Sequence, residues 1–269
     1  MANPAFANSP AFSTKAAARA AAAPIIPTAG DLAQQYAQPD ATPEQMERMT
    51  YEDTMVKTVV SFVILLAGAA VGWFVPILAI PAALIGFVLA LVNIFKKKPS
   101  PPLVIAYAAV EGVFVGGISM LFSQIFDGIV PMAVIGTLGV VAITLALFAS
   151  GKVRASRRAT KIFLVAMIGY AAFSLINFGL MVFGVTDTMY GARDFVIPGT
   201  GIPIGIPLGI LVVLLAAYSL VLDFDGVKRG VESGAPRIYG WTAAFGIMLT
   251  VVWLYLEILR LISFFLPRN

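Results

Sequence analysis

The sequence predicts an all-α membrane protein built as a bundle of seven transmembrane helices. Three observations predict it. Seven apolar runs each approach the roughly 20 residues that a helix needs to cross a bilayer. The chain is 59% apolar and only 12% charged, with a mean hydropathy of +0.92, about half the charge of an ordinary soluble domain. Basic residues gather between alternate runs and are nearly missing from the others.

Residues 1–50 precede the first run and are rich in Ala, Pro, Thr and Gln. A small repeat opens them, Asn3-Pro4-Ala5-Phe6 and then Ser9-Pro10-Ala11-Phe12. No strongly apolar stretch follows a basic start, so this is not read as a signal peptide. It is expected to be a disordered cytoplasmic tail, followed by a transmembrane domain over 51–269. The runs are Val56–Val75, Ile77–Phe95, Leu103–Phe126, Ile129–Ala149, Ile162–Val185, Ile204–Leu222 and Ala244–Leu266. Pro76 separates the first two and Asp127-Gly128 the third and fourth, which makes each pair a tight helical hairpin. Inside lipid the backbone must satisfy its own hydrogen bonds, so the runs are helices. A porin-like barrel would need short alternating strands, and none is legible.

The basic residues set the orientation. Lys96, Lys97 and Lys98 follow span two; Lys152, Arg154, Arg157, Arg158 and Lys161 follow span four; Lys228, Arg229 and Arg237 follow span six. The loops after spans one and three hold no Lys or Arg, and the loop after span five holds only Arg193 beside Asp187 and Asp194. The N-terminus is therefore expected inside the cytoplasmic membrane and the C-terminus outside. The net charge of +4 fits loops facing anionic lipid better than a nucleic-acid surface, so no nucleic-acid partner is expected.

Composition also excludes chemistry. The chain has no cysteine and no histidine. Disulfides, zinc ribbons, iron–sulfur clusters, a Ser-His-Asp triad and a histidine proton switch are all ruled out. Gly199-Thr200-Gly201 lacks the Lys-Ser/Thr element of a phosphate loop. No enzyme activity and no resident cofactor are expected.

Ionisable groups inside a span cost several kcal/mol and are functional candidates by default. Of the 14 acids, six precede span one and four lie in or near loops. The remaining four are Glu111 in span three, Asp223 and Asp225 at the inner end of span six, and Glu257 near the middle of span seven. Arg260 follows Glu257 on the same helix face. Structural readings stand beside the functional one: Glu257 and Arg260 as a neutralising pair, Glu111 bonded to a neighbouring helix, and Asp225 as a hydrated interfacial acid near Lys228 and Arg229. The functional reading is a set of acids facing an inner cavity that binds protons or cations. Gly112, Gly116 and Gly117 suit close helix packing. Trp73, Trp241, Tyr239 and Trp253 read as interfacial or packing aromatics.

Two segments resemble the Bax inhibitor-1 family. One is Tyr218-Ser219-Leu220-Val221-Leu222-Asp223-Phe224-Asp225-Gly226-Val227-Lys228, an apolar run ending in Asp with Lys five residues later. The other is Leu254-Tyr255-Leu256-Glu257-Ile258-Leu259-Arg260-Leu261, similar to the family's LYLDFxNLF signature. The forms Gly234-Ala235-Pro236, Trp241–Gly246 and Trp253–Leu261 look like those of bacterial, actinobacterial members. The resemblance covers roughly 50–269. It implies a bundle with the seventh helix central, and a proton-sensitive Ca²⁺ leak channel. Asp223 and Glu257 would be its pH-sensing pair and transient Ca²⁺ ligands, and Lys96 the latch cation for Asp223. Glu stands here where the family's seventh helix usually has Asp. A simple helix ruler sets Glu257 on the order of 10–15 Å deeper than Asp223, so contact would need span six to be broken, tilted or started late near Pro207. The alternative is a non-conducting membrane regulator in stress protection, binding other membrane proteins or a membrane protease through the N-terminal tail.

Overall fold

The computed structural model describes residues 47–267. Seven helices follow in order: α1 (Tyr51–Phe74), α2 (Ala79–Phe95), α3 (Pro101–Ile125), α4 (Ile129–Ala149), α5 (Arg157–Val182), α6 (Gly205–Glu232) and α7 (Gly240–Ser263). With short 3₁₀ turns before α2 and α7, seven segments are long and apolar enough to cross a membrane. The chain is an all-α, multi-pass membrane protein. Local signals place the ends. Thr50 caps α1 by accepting from the Asp53 N–H at 3.1 Å, and Ser156 caps α5 by accepting from the Ala159 N–H at 3.2 Å. Pro101 and Pro102 open α3, where a missing N–H costs nothing. Gly128 makes the α3–α4 turn at φ +69°, a backbone that glycine adopts without strain.

The closest packing is backbone on backbone. Gly68 and Gly72 of α1 face Gly112 and Gly116 of α3, each pair four residues apart. A Cβ on Gly116 would stand 1.9 Å from the Ala69 carbonyl oxygen, and one on Gly72 2.0 Å from that of Val113. The same test gives 2.1 Å for Gly112 against Leu65 and 2.3 Å for Gly68 against Ala109. No side chain fits at any of the four. This is the small-xxx-small interface by which membrane helices gain dispersion contact without a hydrophobic driving force.

α7 is central. It packs against α1, α3, α4 and α6, and 56% of its apolar window is buried, against 11% for α5. Tyr107 meets Phe245 edge-on with centroids 5.0 Å apart, and Ser119 shares a 2.6 Å hydrogen bond with the Tyr255 hydroxyl. α5 lies outermost. Phe163 and Tyr218 (5.5 Å between rings), and Thr160 with the Tyr218 hydroxyl at 3.1 Å, fasten its start to α6.

Several boundaries differ from the hydropathy reading, α1 among them, which begins at Tyr51 rather than Val56. α6 runs unbroken to Glu232, ten residues beyond Leu222, because i,i+4 pairs carry it on: Arg229–Asp225 at 3.0 Å and Lys228–Glu232 at 3.6 Å. α5 begins at Arg157 rather than Ile162, and α7 at Gly240 rather than Ala244. Hydropathy sees apolar length, while helices continue through charged residues that propensity favours. The expected tail boundary also shifts. The Met49 N–H donates to the Ala235 carbonyl at 2.7 Å and the Arg237 N–H to the Glu47 carbonyl at 2.7 Å. Residues 47–50 thus belong to the folded unit, clasped to the α6–α7 loop. The rest of the expected tail, including its repeat, lies outside the described residues. The clasp puts the chain's entry and the α6–α7 loop at one end of the bundle, here called the even-loop end.

Gly116→Val should destabilise the bundle by at least about 2 kcal/mol, as overpacking at a closed contact does. Gly169→Ala on α5, where nothing lies within 4 Å of a new Cβ, should be neutral or stabilising by up to about 1 kcal/mol. Unfolding in SDS titrations from mild detergent checks both.

Candidate functional site

Four acids were candidates, and each has its own set of partners. Glu257 is 2% exposed on α7. Since α7 starts at Gly240, Glu257 sits about 25 Å from that start and about 9 Å from the helix end. It is therefore displaced from the middle, where the sequence placed it, toward the odd-loop end. The expected pair with Arg260 forms, Nη1 to Oε1 at 2.7 Å. Two further groups close on the same carboxylate. The Tyr170 hydroxyl of α5 donates to Oε1. Arg193 Nη1 donates to Oε2 at 3.3 Å, while its Nη2 donates to the Tyr170 oxygen at 2.8 Å.

Arg193 is the residue that the sequence reading missed. It was counted as a loop charge, yet it is 5% exposed. A 3₁₀ turn, Gly191–Asp194, folds the α5–α6 connection back into the bundle. Asn177 of α5 holds that turn: its Nδ2 donates to the Tyr190 carbonyl at 3.1 Å and its Oδ1 accepts from the Ala192 N–H at 2.6 Å. Gly191 is required there. Its φ is +61°, and a Cβ would lie 2.4 Å from Asn177 Oδ1. The Tyr190 hydroxyl shares a 2.6 Å hydrogen bond with Ser263 at the end of α7. The guanidinium of Arg193 then lies 5.5 Å over the Tyr170 ring. One cue existed: a lone Arg in an outer loop goes against the positive-inside pattern, so its charge had reason to be spent inside.

Asp223 is fully buried inside the bundle. Extension of α6 to Glu232 moves it about 13 Å in from the helix end. The Thr250 hydroxyl of α7 donates to Asp223 Oδ2 at 2.6 Å, and Ser219 lies 3.4 Å from Thr250 Oγ1. Thr250 precedes Glu257 by about two helical turns, on the order of 10 Å, which matches the ruler from the sequence. The expected Asp223–Glu257 pair is not formed, and α6 has no break to bring the two together. Lys96 is exposed at the end of α2, beside Thr242 in the first turn of α7. Among the described residues no ion pair joins it to Asp223.

Asp225 keeps its bland reading, partly exposed and paired with Arg229. Glu111 faces α2, where glycine makes room for it: a Cβ on Gly86 would stand 2.8 Å from Glu111 Oε2. Tyr107, one turn earlier on the same face, is its neighbour. Among the described residues no three acids converge on a possible metal position.

The family model described as Bax inhibitor 1 like matches residues 3–266. The chain belongs to that family. None of the curated proteins matches it. The two acids that the resemblance pointed to, Asp223 and Glu257, are thus both buried at α6–α7, but at two levels with separate partners.

Removing one partner of a buried ion pair leaves the other charge uncompensated. Arg193→Met should therefore destabilise by about 2 kcal/mol or more. Glu257→Gln with Arg193→Met should cost less than the sum of the single changes by at least about 1 kcal/mol. A double-mutant cycle in detergent unfolding measures it.

Proposed function

We propose that the chain is a gated leak pathway for cations, with Ca²⁺ the preferred ion, rather than an enzyme. The observation that carries this reading is Glu257, a carboxylate 2% exposed on the central helix and closed by two guanidiniums and a phenol. Such a group is expensive in lipid, and a purely structural helix would do without it. In this arrangement the site is a lock. Two cations on one carboxylate leave excess positive charge, which repels a permeating cation. Release of Arg193 would free one carboxylate oxygen and open the odd-loop end.

At the other level, Asp223 with the hydroxyls of Thr250 and Ser219 supplies hard oxygen donors of the kind Ca²⁺ takes. Three donors of the six to eight that Ca²⁺ prefers make a passing site, suited to permeation. Protonation supplies the gate signal. A proton on Glu257 removes the charge on which both guanidiniums close, so the lock weakens as pH falls. We place the protein in a cytoplasmic membrane with the N-terminus inside. The burial of Arg193 supports this, since it leaves the loops after α1, α3 and α5 without an exposed base.

A second reading, a membrane regulator acting through its N-terminal tail, is favoured by the clasp. That clasp delivers the tail beside the Asp225–Lys228 segment. Deleting residues 1–46 discriminates: a leak pathway keeps its flux, whereas a tail-dependent regulator loses its partner.

Ca²⁺ flux into proteoliposomes across a pH series tests the first reading. Arg193→Gln should raise flux several-fold at neutral pH and flatten its rise toward acid. Asp223→Asn should lower flux at every pH. If Asp223→Asn and Glu257→Gln leave both flux and pH dependence untouched, the reading fails.

A further inference from the structure

A second feature lies on the bundle's flank, away from both acids. α1 and α4 stand apart at the even-loop end and leave a groove of about 640 Å³ between them, within the range of pockets that bury a ligand. Ile247 and Val251 of α7, with Phe224 and Val227 of α6, form its floor. Its α1 wall runs from Tyr51 to Phe62 and its α4 wall from Leu138 to Ala149. Each wall is about 16 Å long, roughly half the 30 Å hydrocarbon core. The groove therefore has the length of one leaflet.

Its chemistry changes along that length. The deep part is aliphatic and aromatic. The mouth carries two cations, Arg154 from the α4–α5 loop and Lys228 from α6. Arg154 is exposed, and its guanidinium lies 4.7 Å over the Phe148 ring that walls the groove. No ion pair neutralises Arg154 among the described residues. Lys228 has only a loose 3.6 Å contact to Glu232, which is itself largely exposed. The other acids nearby are already engaged: Asp225 by Arg229, and Asp53 by Lys57 and Arg237. Lys152, Arg157 and Arg158 add to the positive charge of the same loop. Neutral lipid tails can lie along any face of the bundle. Here a leaflet-deep apolar groove ends at a guanidinium with no ion pair among the described residues.

The geometry points to a binding site for one anionic phospholipid, its acyl chain between α1 and α4 and its phosphate between Arg154 and Lys228. The bound chain would lie against Phe224 and Val227, which flank the family's α6 motif. The lipid would then brace the segment that holds Asp223.

Native mass spectrometry of the full chain with phosphatidylglycerol or phosphatidylcholine of identical acyl chains tests this. One phosphatidylglycerol should be retained per protein, and phosphatidylcholine should not. At about 1 kcal/mol per basic residue, Arg154→Gln with Lys228→Gln should weaken retention about 30-fold. Leu145→Trp, at the exposed rim, should reduce it without touching the cations. Equal retention of the two lipids, or phosphatidylglycerol retention unchanged in the double variant, overturns the site. So does a photo-cross-linker at position 145 that traps residues 1–46 or a second copy instead of lipid.

Discussion

Glu257 is an ionisable group on the most enclosed helix of the bundle, and the arrangement at the odd-loop end follows from that burial. An unpaired carboxylate there costs several kcal/mol, so counter-charge must reach it through protein. Arg260, one turn along, supplies part of it. The remainder comes from outside the helix, and this imposes a demand on a loop. The α5–α6 connection must turn back, carry Arg193 inward, and still satisfy its own backbone. Asn177, Tyr190 and Gly191 do that work, through two amide hydrogen bonds, one hydroxyl hydrogen bond and one positive φ. A segment that reads as irregular is thus fixed by a charge two helices away.

The same constraint explains the role of α5. It is the least buried helix, and its apolar face could be met by lipid alone. What ties its middle to the bundle is Tyr170, which bonds both Glu257 and Arg193. The contrast with α1 and α3 is instructive. Those two are locked by glycine contacts with no room for adjustment, so they form the rigid half. The half made by α5 and its following loop is held by ion pairs and hydrogen bonds, which can exchange partners without repacking a core. In the proposed gated pathway the movable part would lie where polar contacts, not close packing, set the position.

Much of this was legible in the sequence, and the physical reasons are specific. Apolar length and the basic loops gave the seven helices and their alternation, because the bilayer imposes both. The depth difference between Asp223 and Glu257 came from helix rise alone, and the fold keeps it. The Glu257–Arg260 pair followed from spacing on one helix. What did not emerge was partner choice across elements. Nothing local to Arg193 says that it is buried. Nothing in span one announced that Gly68 and Gly72 would meet Gly112 and Gly116, although the spacing was present on both. The Lys96 latch came by resemblance alone; Lys96 is exposed at the end of α2, and Asp223 is bonded by Thr250.

In the proposed leak pathway the two acids would divide the tasks that a shared-proton pair combines. In that reading Asp223, bonded by the Thr250 hydroxyl, supplies the level that attracts cations. Glu257 is closed by two guanidiniums, whose excess positive charge would repel them. With Asp223 of α6 at the level of Thr250, about 10 Å from Glu257 along α7, they would make an attractive level and a repulsive level in series. A pathway built this way needs no contact between its acids to respond to pH. It needs only that the proton arrive at the repulsive level, where it competes with guanidinium rather than with a second carboxylate. The response is then set by how firmly Arg193 is held, and so by the turn that Asn177 fastens, rather than by the distance between the two motif residues.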